Sequence, residues 1–165
     1  MTMADTIAVM NGGRIEQAGS ATDLYERPRT AFVANFLGVS NLVDARIGAR
    51  ENGHSRVETH DGASLYVPSD RCNGADDVRV GVRPEKITLI PADQEPASGT
   101  NVLRGKVVVA AFLGVSIQYV IHTAGGEELN VFTQNTEGSE PDSLGVGRDV
   151  QLTWNPEHTF VVARD

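Results

Sequence analysis

The sequence predicts a mainly β fold, a barrel or sandwich built from short strands, and three observations support that prediction. Apolar and polar residues alternate with a period of two in several separated runs, which is typical of strands with one buried face. Turn dipeptides such as Asn52-Gly53, Asp61-Gly62 and Gly125-Gly126 separate these runs. Hydrophobic residues make up 40% of the 165-residue chain, which is enough for a packed core.

The alternating runs place an apolar residue at every second position: Val78, Val80 and Val82; Ile117, Tyr119 and Ile121; and Val150, Leu152 and Trp154. Trp154 is in phase with its run, so we expect it in the core rather than on a ligand platform. The run 107–113 is apolar throughout, which predicts a strand buried on both faces. Residues 91–100 predict a flexible loop, and residues 136–147 predict a second polar loop.

The first 40 residues have a different residue pattern from the rest of the chain and predict a hairpin followed by two short helices. Strands at 6–10 and 14–17 flank Asn11-Gly12-Gly13, whose residues tolerate the positive φ of a tight turn. Ser20, with Asp23 three residues later, predicts a capped helix that carries Leu24 and Tyr25 and ends before Pro28.

Thr30 predicts the cap of the second helix, which ends near Gly38. Four apolar residues recur in it at helical spacing and predict a single apolar face: Phe32, Val33, Phe36 and Leu37.

Charge and motif content argue against several classes of function. The net charge is −8, and residues 41–165 hold eleven Lys and Arg against eighteen Asp and Glu. An acidic surface with nine aromatic residues disfavours nucleic-acid binding, because phosphates need cations and bases need stacking platforms. No phosphate-binding G-x-x-x-x-G-K loop, nucleophile elbow or paired-histidine metal motif occurs. Cys72 is the sole cysteine, so no intrachain disulfide forms. We therefore predict no catalytic, cofactor or metal site.

One long stretch, 2–42, and two shorter ones resemble one family of proteins. T-M-A-D-T-I-A-V-M-N-G-G-R-I-E-Q-A-G (2–19) and S-A-T-D-L-Y-E-R-P-R-T-A-F-V-A-N-F-L-G-V-S-N-L (20–42) resemble the end of the nucleotide-binding domain in ATPases of ABC importers for sugars, iron and polyamines. G-V-R-P-E-K-I (81–87) resembles the core motif of the transport-associated OB (TOBE) domain of those ATPases. V-Q-L-T-W-N-P-E-H-T-F-V-V (150–162) resembles its closing hairpin, in wording closest to polyamine importers.

The resemblance implies a division into three parts. Residues 1–20 would be the last hairpin of the ATPase domain, 21–40 a helical connector, and 41–165 an OB-like regulatory barrel, with two interleaved small barrels as a variant. The Walker motifs, signature motif and switch histidine of the family would lie upstream, so ATP and Mg²⁺ would belong to the parent protein. Deprived of its sheet, the hairpin at 1–20 is expected to be disordered or engaged across a dimer.

The two TOBE-like stretches supply the candidate site residues: Arg83, Glu85, Asn155, Glu157 and His158. Pro84 ends a strand because it lacks a ladder donor, and Glu85 is a possible partner for Arg83. A structural corner between strands is the plainer interpretation of these residues. The alternative is that they face a dimer partner or a small effector.

The resemblance implies the first of three candidate functions, and the charge of the chain bears on the other two. The first is a regulatory and dimerisation module of an importer's ATP-binding subunit, which is cytoplasmic and sits against membrane permease subunits. The second is a sensor that binds the transported solute directly, since an acidic surface suits a cationic polyamine. The third, a free-standing nucleic-acid binder, is disfavoured by charge.

Overall fold

The computed structural model describes residues 4–72, 74–135 and 144–163, and the chain there is mainly β. Two short helices, α1 (Ala21–Glu26) and α2 (Ala31–Phe36), follow an N-terminal hairpin and precede ten further strands. No helix within those ranges is long and apolar enough to span a lipid bilayer. The mainly β fold is therefore as the sequence predicts.

The N-terminal hairpin consists of β1 (Ile7–Asn11) and β2 (Arg14–Gly19). Gly12 and Gly13 both have positive φ, which L side chains adopt at a cost and glycine adopts freely. The hairpin packs on the helices through a cluster of buried Val9, Leu24 and Val33. The expectation of disorder is therefore wrong for residues 7–19, because the two helices cover the face of the hairpin that would otherwise be bare. Its engagement across a dimer remains a prediction.

Both helices begin at the residues that the sequence indicates. The Ser20 hydroxyl accepts the Asp23 N–H at 3.1 Å, and the Thr30 hydroxyl accepts the Val33 N–H at 3.2 Å. The single apolar face predicted for α2 is wrong in part. Val33 is buried, but Phe32 and Phe36 stack on each other at 6.0 Å and remain exposed. The helix instead buries its small residues, Ala31 and Ala34, against Phe160 and Val162. These two lie in the β domain, our name for the described part of residues 41–163.

The remaining strands form two five-stranded antiparallel sheets. The first sheet has the order β12-β6-β3-β4-β5, with β3 (Asn41–Glu51), β4 (His54–Thr59), β5 (Ser64–Pro68), β6 (Asp77–Val82) and β12 (Phe160–Ala163). The second has the order β10-β9-β8-β11-β7, with β7 (Thr88–Pro91), β8 (Asn101–Phe112), β9 (Ser116–Thr123), β10 (Glu128–Gln134) and β11 (Asp149–Trp154).

The two sheets exchange one strand each. β7 follows the first four-stranded group in the chain but pairs with β11 of the second sheet. β12 follows the second group but pairs with β6 of the first. This interleaving makes one continuous core from both halves, with buried residues from β3 through β12 in a single cluster. The structure thus contains an internal repeat that is not obvious in the sequence.

The apolar residues of the alternating runs are buried as predicted, and Trp154 lies in the core, where its indole N–H donates to the Thr159 hydroxyl at 2.9 Å. The exposed polar face expected of β11 is wrong, because its Gln151 and Thr153 are buried as well. The prediction for 107–113 is wrong. Val107 is buried, but Val109, Phe112 and Leu113 are exposed, because β8 and β9 extend beyond the strands that cover their other ends. The loop after β7 is present as predicted. Of the second predicted loop, residues 136–143 lie outside the described ranges.

Candidate functional site

All five predicted site residues lie on two similar turns. Arg83-Pro84-Glu85 follows β6, and Asn155-Pro156-Glu157 follows β11. Each Pro-Glu pair lies in a short 3-10 turn that leads into one of the two exchanged strands. Proline fits there because its fixed φ suits the start of such a turn and its missing N–H ends the ladder. The turns are therefore the corners at which the chain changes sheet.

Arg83 is 3% exposed although its neighbours place it on the predicted polar face of β6. Its guanidinium donates to the carbonyl of Ala34 at 2.8 Å and to the Ser40 hydroxyl at 2.5 Å. It also donates to the carbonyl of Tyr25 at 2.9 Å, and more distantly to that of Gly38 at 3.4 Å. One side chain of the β domain thus binds the ends of both helices.

Aromatic rings hold the same guanidinium in place. Its central carbon lies 4.1 Å from the centroid of the Tyr25 ring and 5.5 Å from that of Phe160, both within cation–π range. Burial lowers the pKa of Arg83, and the negative charges of Tyr25, when ionised, and Glu85 act in the opposite sense. Glu85 does not take Arg83 as its hydrogen-bond partner. Its carboxylate accepts the Tyr25 hydroxyl at 2.5 Å.

The second turn is held by its own Asn155 and by contacts from Arg71 and His54. The Asn155 side chain accepts the Glu157 N–H at 3.0 Å and so caps the turn. The Glu157 carboxylate lies 3.0 Å from the His54 ring, and the Glu157 carbonyl accepts from Arg71 at 2.7 Å. Arg71 also donates to the carbonyl of Thr159 at 2.8 Å. Asn155 therefore has a structural role, while Glu157 links the turn to the first sheet.

The structure brings three predicted residues, Arg83, Glu157 and His158, to one small cavity beneath α1. Its volume is about 30 Å³, room for a water molecule or two but not for an organic solute. Glu85 and Asn155 lie outside its lining. The plainer interpretation, a structural corner, fits this geometry. We use the name Arg83 joint for Arg83, Tyr25, Glu85 and Phe160 together with the helix ends that Arg83 binds.

Sequence reasoning missed Tyr25 in this joint and, outside it, Gln17. Tyr25 reads as a packed helix end, and nothing in its spacing shows that its ring lies under Arg83. Gln17 sits at an exposed-looking position of β2, yet it is buried. Its side chain donates to the Arg27 carbonyl at 3.0 Å and accepts the Arg29 N–H at 2.8 Å, tying the hairpin to the connector. The one available signal is Arg83 itself, an arginine that directly follows the valine-rich run 78–82.

Two larger clefts flank the joint and the first sheet. One, of about 560 Å³, lies between β2, the loop after α1 and β12, and carries Arg27, Arg29 and Arg71 with Asp23 and Asp70. The other, of about 500 Å³, is lined partly by carboxylates, of which Asp44 and Asp77 pair with arginines at 3.0 and 3.3 Å. Across the described ranges, no group of three His, Cys, Asp or Glu side chains is placed to hold a metal ion.

The Tyr25–Glu85 hydrogen bond predicts a pH response. Burial, the hydrogen bond to Glu85 and the Glu85 charge raise the pKa of Tyr25 to about 12, with Arg83 opposing. Because the folded-state pKa lies above the unfolded value of 10.0, this contribution to stability is complete below pH 10 and is lost between pH 10 and about 12. Tyrosinate absorbance should show a titration near pH 12 whose amplitude falls by one tyrosine in Tyr25→Phe, while Tyr119, whose pKa burial also raises, keeps its own contribution. An unchanged amplitude in the variant would contradict the assignment.

Comparison with known proteins places this geometry in a family. The TOBE domain family matches residues 80–162, which include both turns and the second sheet. The spermidine/putrescine import ATP-binding protein PotA of Frankia alni is 40% identical over 98% of this chain and 36% of its own length. The proteins of the same name from Nostoc sp. and Thermobifida fusca are 37% and 36% identical, over 86% and 98% of this chain. The chain spans about two fifths of the length of these relatives.

A solved structure supports the fold alone. The cytoplasmic molybdate-binding protein ModG, solved with molybdate bound, superposes with a TM-score of 0.64 at 16% identity, over 75% of this chain and 96% of that one. The mainly β, OB-like architecture expected from the sequence is thereby confirmed. With the family match covering half of its residues, the chain belongs to the TOBE domain family.

Proposed function

We propose that this chain is a non-catalytic regulatory and dimerisation region of the ATP-binding subunit of a bacterial ABC importer. The observation that carries the proposal is the Arg83 joint, which fixes the hairpin and helices at 4–40 to the TOBE fold. The PotA relatives support it, because each is named an import ATP-binding protein and aligns over 86% or more of this chain.

The joint has the properties of a mechanical coupling. Arg83 binds both helices, Tyr25 binds Glu85, and a buried cluster packs α2 against β12 through Ala34, Phe160 and Val162. Buried charge-assisted hydrogen bonds are directional and costly to break, so the helices follow the turn that holds them. A change in the β domain would therefore be transmitted to the segment that resembles the end of the ATPase domain.

ATP and Mg²⁺ belong to the parent subunit in this proposal. The residues of this chain do not fit them, because the sequence offers no glycine-rich phosphate loop, and the described carboxylates form no three-ligand cluster. The parent subunit would hydrolyse ATP at the cytoplasmic face of the membrane, bound to permease subunits. The solute proposed for it is a polyamine, from the names of the relatives and the stretch 150–162.

A direct sensor of that solute is the second candidate function. Its support is the charge of residues 41–165, where acids outnumber bases by eighteen to eleven, since a polyamine is a flexible polycation. Calorimetric titration of the chain with spermidine and putrescine tests it. Binding heat that weakens with salt would support the sensor, and absence of both heat and thermal shift would remove it.

The regulatory proposal is tested in a full-length ATP-binding subunit that carries this region, reconstituted with its permease. We expect spermidine to change the ATPase rate of the wild type, and Arg83→Lys to bring the ratio of rates with and without spermidine towards one. A lysine cannot serve two helix ends at once, because it lacks the fork of the guanidinium. Arg56→Lys, on a partly exposed side chain that bonds Ser64, is the matched control and should keep the wild-type ratio. An unchanged ratio in Arg83→Lys would contradict coupling through the joint.

A further inference from the structure

The far end of the β8–β9 hairpin is the largest exposed apolar feature of the β domain that the proposed function leaves unused. We call residues 108–118 the β8–β9 arm. Its Val109, Phe112, Leu113 and Val115 are 45%, 63%, 57% and 84% exposed. No charged residue or histidine occurs from 107 to 121, in a chain of which 22% is charged. Exposed apolar clusters of this kind mark interaction surfaces.

Among the residues that the structure describes, the arm also has an open strand edge. β11 pairs with β8 only from Asn101 to Lys106, and residues 147–148 bond Val107 beyond it. Past Val107, β8 pairs with β9 alone among the described residues. The Leu113 N–H donates to the Ser116 carbonyl, so the antiparallel alternation points the N–H and C=O of Ala110 and Phe112 away from β9. An apolar edge with unpaired backbone groups is a template for another strand.

We propose that this edge pairs antiparallel with the same edge of a second copy of the chain. The two-fold axis passes at Ala111, so that Ala110 exchanges backbone hydrogen bonds with Phe112 of the second copy and Phe112 with its Ala110. An antiparallel pair of identical edges is self-complementary, which is what a two-fold dimer interface requires. The inference rests on the dimerisation in the proposed function and names the surface that performs it.

Charge selects a second copy over other occupants. Two chains of net charge −8 repel each other, so self-association favours a surface free of charge, and the arm is such a surface. An anionic lipid headgroup or a nucleic acid needs cations, and residues 107–121 contain none. The small Ala111 at the axis lets the two backbones approach to strand-pairing distance.

Sedimentation velocity of the 165-residue chain over a range of concentrations tests the proposal. We expect a wild-type dimer whose dissociation constant rises at least tenfold in Val115→Glu and in Ala110→Pro. The proline removes an N–H that points to the open edge and no hydrogen bond to β9, so the monomer keeps its fold. Ile15→Glu and Phe36→Glu, which place the same charge on exposed apolar residues of the N-terminal segment, are the controls and should stay dimeric.

A covalent readout does not depend on losing the dimer. In a Cys72→Ser background, Ala111→Cys places two thiols at the proposed axis, and mild oxidation by molecular oxygen should join two chains through one disulfide, with reduction of the oxidant. Circular dichroism of each variant checks that it is folded.

The outcomes separate two claims, that the chain dimerises and that the β8–β9 arm is the dimer interface. A wild-type dimer that persists in both arm variants, together with no disulfide in the Ala111→Cys chain, overturns the arm but leaves the proposed function. A dimer lost only in Ile15→Glu or Phe36→Glu does the same and moves the interface to the N-terminal segment. A wild-type chain that stays monomeric at high concentration overturns both the dimerisation and the arm.

Discussion

Replacing Arg83 by methionine should lower the free energy of unfolding by about 3 kcal/mol. Methionine keeps much of the aliphatic length and removes the guanidinium, so the carbonyls of Tyr25 and Gly38 lose their charged donor inside the protein. The packing of the guanidinium on the Tyr25 ring is lost as well. Urea denaturation followed by circular dichroism measures the change.

The matched control is Arg56→Met. Arg56 lies in β4 and, like Arg83, makes hydrogen bonds through its guanidinium, to Ser64, with an ion pair to Glu58, but its side chain is half exposed. Its loss should therefore cost under about 0.5 kcal/mol. Hydrogen exchange supplies a second readout, since Arg83→Met should raise exchange in residues 21–40 more than in the sheets. Equal stability losses in the two variants would show that burial of Arg83 is not what matters.

Local signals in the sequence predict local structure well. The caps at Ser20 and Thr30 are confirmed because a hydroxyl and the N–H three residues later are close in the chain, whatever surrounds them. Period-two alternation likewise predicts which residues of β9 face the core, since the pleat fixes their direction. These features need no knowledge of the rest of the fold.

The errors arise where a distant segment decides the environment. By alternation Arg83 would continue the polar face of β6, but α1 and α2 cover that side and bury the arginine. Val109 and Phe112 are predicted to be buried because the residues around them are apolar. They are exposed because β8 extends beyond the end of its neighbour β11. The exchange of β7 and β12 depends on strand pairs whose residues are, in most cases, more than 60 positions apart in the chain. No local pattern encodes such pairing. The sequence therefore predicts the turn at Arg83 but not the contacts by which Arg83 holds the two helices.

Asn101→Ala is the second large effect, again about 3 kcal/mol of unfolding free energy. Asn101 begins β8 and is 1% exposed. Its amide oxygen accepts the Tyr66 N–H at 2.7 Å, and its amide nitrogen donates to the Tyr66 carbonyl at 2.8 Å. It thus pairs with the backbone of β5 in the other sheet as a further strand would. Alanine leaves both part-buried Tyr66 backbone groups without this partner, and an unpaired buried backbone group costs roughly 1–3 kcal/mol.

The internal repeat gives this prediction an internal check. Asn41 begins β3 and makes the equivalent pair of bonds, both 2.7 Å, with the backbone of Asn130 in β10. Each half therefore reaches from its first strand to the third strand of the other half, so Asn41→Ala should cost about as much as Asn101→Ala. Asn130→Ala is the control, because only its half-buried side chain bond to Gln118 is lost. If thermal or urea unfolding shows the Asn41 and Asn101 variants no less stable than the Asn130 variant, the two asparagines do not hold the interleaved halves together, and the shared core alone must do so.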